Sequence, residues 1–177
     1  MFTIYAIETS QIYGHGNRLV IWFSGCTLKC KGCVNSHIWE KSTGKEYSLK
    51  ELSDIVKKTP DIVGVTYIGG EPLQQHAELL VLTKTIISFG LDIVLFTGYE
   101  LEELNDWQMQ IVNLSAAVIC GRYKEELRDT GLLLRGSNNQ RLILNIPNDY
   151  YNRELRQVEV EITAEEDKFL GFPEDFL

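Results

Sequence analysis

Short apolar runs alternate with longer amphipathic segments along this 177-residue chain, and this alternation limits its fold more than any other feature. Strands are predicted at residues 2–8, 19–23, 62–68, 92–96, 116–120, 141–146 and 158–162. Helices are predicted at residues 48–57, 73–89 and 101–113. The first of these helices opens on a capping box formed by Ser48 and Glu51. Strands joined through helices of this length favour right-handed crossovers and therefore a parallel sheet.

The length of the chain limits how far such a sheet can close. A complete eight-stranded β/α barrel typically needs about 250 residues. We therefore predict an α/β fold in which residues 1–177 form a single domain, a short, open, partial parallel β/α barrel. Hydrophobic residues make up 44% of the chain and charged residues 24%, which is the composition of a globular protein and excludes a disordered one.

Charge and hydropathy exclude several classes of partner. The net charge of −8 is opposite to what binding to nucleic acid phosphates requires, so no nucleic acid partner is expected. No run of 18 apolar residues is present, and the first residues lack the pattern of a secretory leader, so we expect a cytoplasmic protein without a membrane span. Residues 151–177 carry a net charge of −5 (three basic and eight acidic residues), which predicts a solvated face or a partner surface.

Three of the four cysteines lie within eight positions, in the spacing C-x3-C-x2-C, directly after a predicted strand. Parallel β/α folds place their chemistry on such loops. Three thiolates can hold three irons of a [4Fe-4S] cluster and leave the fourth iron open for a substrate. The predicted catalytic and iron-binding residues are therefore Cys26, Cys30 and Cys33. The cationic side chains of Arg18, Lys29 and Lys31 are expected to offset the charge of the cluster.

A zinc site closed by His37 or Cys120 is the alternative for the same cysteines. Structural zinc sites usually pair two C-x2-C-like elements, and a second pair is missing from this sequence. Cys120 is predicted to be a small buried apolar residue, and Trp22 and Phe23 are predicted to belong to the core.

The cysteine loop resembles the hallmark of the radical S-adenosylmethionine (SAM) enzymes. The sequence Gly69-Gly70-Glu71-Pro72, at the end of the next predicted strand, resembles the motif with which that superfamily binds the amino group of SAM. Glycines let backbone groups approach a ligand closely, and the acid can accept hydrogen bonds from an amine. The resemblance implies a radical SAM-type partial barrel and SAM-binding residues. These are Gly32, Val34, Asn35, Gly69, Gly70, Glu71, Pro72 and Thr97.

Within this superfamily the chain resembles the activating proteins of anaerobic ribonucleoside-triphosphate reductases, which are glycyl-radical enzyme activases. The resemblance rests on several short segments: Gly32-Cys33-Val34-Asn35, Thr97-Gly98-Tyr99, Gly121-Arg122-Tyr123 and residues 135–140. Two positions depart from the family pattern, Val34 in place of an aromatic residue and Cys120 in place of an aspartate. Both departures are expected to lie near or on the catalytic face, where they leave the cluster and the SAM chemistry intact and bear on the identity of the substrate.

The resemblance implies a function and partners. In that family the reduced cluster gives one electron to SAM, and the resulting 5′-deoxyadenosyl radical takes hydrogen from a glycine of the reductase. The implied partners are a large anaerobic ribonucleotide reductase and an electron donor such as flavodoxin. Arg135 and Asn138 are candidates for holding the reductase or closing over SAM, and their side chains could instead stabilise their own loop.

Two alternative functions stay open. The first is a radical SAM enzyme that modifies a peptide or a small molecule. Such peptide-modifying enzymes usually carry further cysteine-rich regions, whereas here Cys120 is the one cysteine outside the loop. The second is a non-enzymatic metal-binding module, which would not need the motif at Gly69-Gly70-Glu71-Pro72.

Overall fold

The computed structural model describes residues 1–152, 158–162 and 167–171. The strands are β1 (Phe2–Ser10), β2 (Arg18–Phe23), β3 (Lys45–Tyr47), β4 (Gly64–Gly69), β5 (Asp92–Thr97), β6 (Ala117–Cys120), β7 (Arg141–Leu144), β8 (Val158–Ile162) and β9 (Asp167–Gly171). The helices are α1 (Leu49–Lys58), α2 (His76–Ser88) and α3 (Asp106–Leu114). Within this part of the chain, β1 to β7 form one sheet, and β8 and β9 form an antiparallel pair.

The sheet has the order β3-β1-β2-β4-β5-β6-β7. The central strands β2, β4, β5 and β6 are parallel, which confirms the predicted parallel α/β arrangement. β1, β3 and β7 are antiparallel to their neighbours, because the connections from β1 to β2 and from β6 to β7 contain no α-helix that could carry the chain back across the sheet. The described strands therefore form an open sheet with β3 and β7 at its edges.

The three α-helices cover one face of the sheet. Along β2, Leu19, Ile21 and Phe23 belong to the core between sheet and helices, whereas Val20 and Trp22 point to the opposite face. The same alternation continues along β4, β5 and β6. Each fully buried aliphatic or aromatic side chain in this core contributes about 1.5–3 kcal/mol. The helices thus fix one face and leave the other to the loops.

Two helices begin later than predicted, because each is preceded by a short 3-10 turn. Pro72–Gln75 forms a turn before α2, and Leu101–Glu103 forms another before α3. The cap of α3 is Asn105, whose side chain accepts a hydrogen bond from the Gln108 backbone N–H at 3.0 Å. The predicted capping box at α1 is present. Among the described residues, no helix is both long enough and apolar enough to cross a membrane.

Arg18 lies at the start of β2, at the opposite end of the strand from the cysteine loop, so the expectation that it offsets charge near the cysteines is wrong. Its guanidinium is fully buried and donates to Thr66 Oγ1 at 2.9 Å, to the Val65 carbonyl at 3.0 Å and to Asp92 Oδ1 at 2.5 Å. Arg18 therefore joins the first residues of three parallel strands. The acidic segment 151–177 lies largely outside the described residues.

Candidate functional site

The carboxyl ends of the parallel strands surround one cavity with a volume of about 190 Å³. Three sequence motifs that are far apart along the chain meet in its wall. The residues that come from them are Cys26, Cys30, Cys33, Val34, Asn35, Gly69, Gly70, Glu71, Thr97 and Gly98. Of the predicted site residues, Gly32 and Pro72 do not line the cavity; Pro72 is buried and begins the turn before α2.

The cysteine loop turns tightly because Lys29 and Gly32 adopt left-handed conformations, with φ of 46° and 70°. Its three cysteines are free thiols and are half-buried. Burial raises the pKa of the Cys26 and Cys30 thiols, so they stay protonated until a metal takes the place of the proton. Lys29 pairs with Glu40, and Lys31 pairs with Glu125 at 3.1 Å.

The metal-binding side chains in the wall of the cavity are the three cysteines of the loop and Glu71. No group of three His, Cys, Asp or Glu side chains in the described residues is close enough to share one metal ion. The thiolates of a [4Fe-4S] cluster bind different irons and are therefore spaced more widely than the ligands of one ion. Three soft sulfur donors around a cavity suit iron or another thiophilic metal, and not the oxygen-seeking Mg²⁺ or Ca²⁺.

Glu71 is buried in the wall of the cavity and is held by three donors. Its Oε1 accepts hydrogen bonds from the Leu73 backbone N–H at 3.0 Å and from Thr97 Oγ1 at 2.9 Å. Its Oε2 accepts from the Gly98 backbone N–H at 2.8 Å. Burial still dominates and raises the pKa of the Glu71 carboxyl to about 7. A cation in the cavity would favour the ionised carboxylate, so Glu71 is suited to bind an amine.

Gly70 packs against the start of the cysteine loop. A Cβ atom at this position would overlap the Gly25 carbonyl oxygen, so a side chain cannot be accommodated without moving the backbone. The Gly70 N–H donates to the Phe23 carbonyl at 2.7 Å, and the Glu71 N–H donates to the Gly25 carbonyl at 2.9 Å. The glycines were predicted to allow a ligand close to the backbone, and at Gly70 the close neighbour is instead the cysteine loop itself.

The residues on either side of the third cysteine, Cys33, differ in how they are placed relative to the cavity. Val34 is 56% exposed. The Asn35 side chain donates to the Gly69 carbonyl at 3.4 Å and so ties the end of the cysteine loop to the second motif. Gly32 faces away, and a Cβ there would lie 2.8 Å from Cδ of Glu125. Gly32 is therefore needed for packing between loops rather than for lining the cavity.

Residues 12–143 match a protein family described as a 4Fe-4S single cluster domain. The anaerobic ribonucleoside-triphosphate reductase-activating protein of Salmonella typhi is 37% identical over 138 residues, which are 73% of this chain and 89% of the relative. The proteins of the same name from Escherichia coli K12 and Enterobacteria phage T4 are 34% and 35% identical, over 73% and 76% of this chain and 89% and 88% of the relatives. The chain belongs to this family of activating proteins.

The floor of the cavity in this activating-protein family member is aromatic. Tyr13 makes edge contacts with Trp22 and Phe96, with ring centroids 5.4 and 6.3 Å apart. Trp22 was predicted to belong to the core, but it lines the cavity, and its indole N–H donates to Glu8 Oε1 at 2.7 Å. The alternation of side chains along β2 could have indicated this position, because it places Trp22 on the face opposite Phe23. Phe23 is in the core as predicted.

Cys120 does not reach the cavity. Its side chain is buried in the core on the helix face of β6, whereas the neighbouring Ile119 and Gly121 line the cavity. His37 also stays outside and makes an edge contact with Tyr5 at 5.3 Å. Neither residue is positioned to close a zinc site with the three cysteines. The departure from the family pattern at Cys120 is therefore not on the face that lines the cavity.

Residues 128–140, the irregular segment of the sequence, cover the face of the sheet that lacks helices. Leu133 is buried there against Val94, Ala117 and Ile119. The sequence analysis did not identify the residues of this segment that line the cavity, although its three consecutive leucines indicate an apolar cover. The lining residues are Thr130, Leu132, Leu133, Leu134, Gly136 and Gln140. Asn138 is exposed and donates to Asp129 at 3.2 Å, within its own loop.

Proposed function

We propose that this chain is a radical SAM activase, which uses a reduced [4Fe-4S] cluster to cleave SAM and form a glycyl radical in a partner anaerobic ribonucleotide reductase. One observation carries the proposal: three free thiols and a buried carboxyl lie in the wall of one cavity, in a chain of the activating-protein family. An amine-binding acid beside sulfur donors is what SAM bound at an open iron requires.

In this proposal Cys26, Cys30 and Cys33 hold the cluster. When bound, the reduced cluster would supply one electron to SAM. Cleavage of the C5′–S bond would then give methionine and a 5′-deoxyadenosyl radical, and this radical would take a hydrogen atom from a glycine of the reductase. The protein's own contribution is orientation and the exclusion of water. The aromatic floor and the leucines of residues 128–140 form apolar walls of the cavity.

Glu71 is assigned to the amino group of SAM. Its carboxyl is fixed by Leu73, Thr97 and Gly98, so it would meet the ammonium group with little loss of side-chain entropy. The positive charge would stabilise the ionised form, which burial otherwise disfavours. Gly69 and Asn35 are assigned to the same wall, next to the end of the cysteine loop.

The remaining parts of the proposal concern the context of the reaction. The protein substrate is the reductase, and the electron donor that reduces the cluster is a small redox protein such as flavodoxin. Reduction of the cluster and activation of the reductase both take place in the cytoplasm. Residues 1–177 act as one radical SAM domain, whose open sheet is a partial β/α barrel with room for a glycine loop at its mouth. Val34, exposed at that mouth, is a candidate contact for the reductase.

The test mixes reduced protein, SAM and the reductase under anaerobic conditions and records the electron paramagnetic resonance spectrum. A glycyl doublet is expected in the reductase, with 5′-deoxyadenosine and methionine as products. The Cys30→Ala variant, carried through the same assembly, should give neither the doublet nor the products. If SAM is cleaved but the reductase gains no radical, and a peptide or a small molecule changes mass instead, the activase proposal is wrong.

A further inference from the structure

The short turn Pro72–Gln75, which follows Glu71, also reaches the cysteine loop. Gln74 lies half-buried in this turn, and its amide group contacts Thr27, the residue after Cys26. Gln74 Oε1 accepts a hydrogen bond from the Thr27 backbone N–H at 3.2 Å, and Gln74 Nε2 donates to Thr27 Oγ1 at 2.7 Å. One side chain therefore holds both the backbone and the hydroxyl group of Thr27.

The same amide group is bonded to the loop after β5. Gln74 Nε2 donates a second hydrogen bond to the Tyr99 hydroxyl at 3.1 Å. The preceding residue of that loop, Gly98, packs against Leu28 of the cysteine loop, since a Cβ atom at Gly98 would overlap Leu28 Cδ1. Leu28 and Gly98 both line the cavity. Gln74 therefore joins the two loops at the place where they meet in the cavity wall.

This junction connects the acid of the site with one of its thiols. The Gln74 backbone N–H donates to the Glu71 carbonyl at 3.1 Å, so the buried acid and the amide side chain belong to one turn. On the other side, the Cys26 backbone N–H donates to the Trp39 carbonyl at 2.8 Å. Cys26 is therefore held from two directions, through its own N–H group and through the bonds between Thr27 and Gln74.

We infer that Gln74 is a positioning residue, whose amide fixes Thr27 and thereby holds the Cys26 thiol in the cavity wall before a metal binds. This inference rests on the proposed function, since the position of Cys26 matters because a cluster binds there. A metal ligand that is already held in place loses little conformational freedom when the metal binds. Residues that orient the ligands therefore contribute to metal affinity without touching the metal.

The first test measures hydrogen exchange at the Thr27 backbone N–H in the full chain without metal. Gln74→Met keeps the length of the side chain and removes its hydrogen bonds, so exchange should be about fivefold faster, the effect of one lost bond. Gln74→Glu should exchange like the wild type, because one oxygen still accepts from the N–H and the Thr27 and Tyr99 hydroxyls can donate to the other. Gln110→Met is the matched control, since the exposed Gln110 side chain donates to the Asp106 carbonyl within α3.

The second test measures the release of iron to a chelator after cluster assembly. Release should be about tenfold faster in Gln74→Met, which loses two hydrogen bonds to the cysteine loop. It should be unchanged in Gln74→Glu and in Gln110→Met. Adding Thr27→Val to Gln74→Met should cause no further acceleration, because the Thr27 hydroxyl has already lost its partner. Two substitutions that acted separately through overall stability would instead multiply their effects.

The outcomes of the two tests separate this inference from the proposed function. Failure of the wild type to bind iron and sulfide overturns the proposed function, whereas the exchange at Thr27 still decides whether Gln74 holds the loop. Wild-type exchange or wild-type iron release in Gln74→Met overturns the inference, as does an equal acceleration in Gln74→Glu or Gln110→Met. Multiplied effects in the double variant also overturn it. So does a Gln74→Met chain that fails to fold, because the amide would then stabilise the whole molecule rather than position one loop.

Discussion

At the scale of single residues, Glu71 combines complete burial with a carboxyl group that accepts hydrogen bonds from Leu73, Thr97 and Gly98. These donors favour the ionised form, and burial opposes it more strongly, so the pKa rises from 4.5 to about 7. A carboxyl that binds its proton more tightly in the folded state stabilises the fold at low pH. That contribution is complete below pH 4.5 and disappears as the pH rises through 7.

The free energy of unfolding of the chain without a cluster should therefore fall between pH 5 and pH 8, and Glu71→Gln should reduce this fall. The difference between the two proteins is expected to be on the order of 2–3 kcal/mol, because one pKa unit corresponds to about 1.4 kcal/mol. Urea denaturation at the two pH values measures it. Identical pH dependence in both proteins would show that the Glu71 carboxyl titrates as in the unfolded chain.

The four cysteines should divide into two classes according to the face on which they lie. Ala substitutions of Cys26, Cys30 or Cys33 should each abolish the brown chromophore and the iron bound after anaerobic reconstitution. Cys120→Ala should retain both, because this thiol packs in the core on the helix side of the sheet. Iron and sulfide assays on the four variants provide the measurement. Stoichiometric zinc without sulfide in iron-replete, anaerobically prepared protein would contradict the cluster assignment.

At the scale of elements, the loops after β2 and β4 depend on each other. The backbone of Gly70 and Glu71 donates to Phe23 and Gly25, so the second motif and the beginning of the cysteine loop form one hydrogen-bonded unit. Gly70 lacks room for a side chain because the Gly25 carbonyl occupies that space. A change in the second motif is therefore transmitted directly to the loop that carries the thiols.

Gly70→Val should lose both SAM affinity and part of the cluster, whereas Glu71→Gln should lose SAM affinity by about tenfold to a hundredfold and keep the cluster. Equilibrium dialysis with SAM and an iron assay separate the two outcomes. Gly90→Ala is the control, since a Cβ at Gly90 would meet open space, although the φ of Gly90 is positive at 80°. It should cost about 1 kcal/mol of stability and leave the site unchanged. A full cluster in Gly70→Val would show that the loops are not coupled.

At the scale of the whole molecule, the two ends of the parallel strands have different tasks. The carboxyl ends carry the cavity, with its thiols and its acid. The amino ends are joined by the buried guanidinium of Arg18, which bonds to Thr66, Val65 and Asp92. A fully buried cation of this kind is costly to desolvate and requires all of its partners. The buried ion pair that stabilises the sheet and the cavity with the thiols thus lie at opposite ends of the same strands.

Arg18→Met should lower the free energy of unfolding by about 3 kcal/mol, because it leaves the Asp92 carboxylate and the Thr66 hydroxyl without their donor. Below its unfolding midpoint the variant should still bind the normal amount of iron, since the cysteine loop lies at the other end of β2. Urea denaturation and iron content per folded chain test the two statements. If Arg18→Met left the stability unchanged and abolished iron binding, the amino ends of the strands could not be assigned to stability alone.

The sequence by itself determined the central strands, the approximate positions of the helices and the three motifs of the site, whereas β3 and β9 were not predicted. Apolar periodicity located the central strands and the helices, and the spacing of Cys26, Cys30 and Cys33 indicated the metal chemistry. These signals are local, since each depends on residues within one turn or one strand of each other. Their meeting at one edge also followed, because parallel strands align their carboxyl ends.

Only the tertiary structure decided which distant residues meet. It placed Cys120 on the helix face, brought the Gly25 carbonyl against Gly70, and set the amides of residues 139 and 140 against residues 121–124. It also decided the antiparallel outer strands, which depend on how connections without helices return to the sheet. Such contacts join backbone carbonyls and side chains many residues apart. Every residue has a backbone carbonyl, so the sequence does not indicate which carbonyl makes such a contact. Neither periodicity nor spacing could therefore predict these contacts.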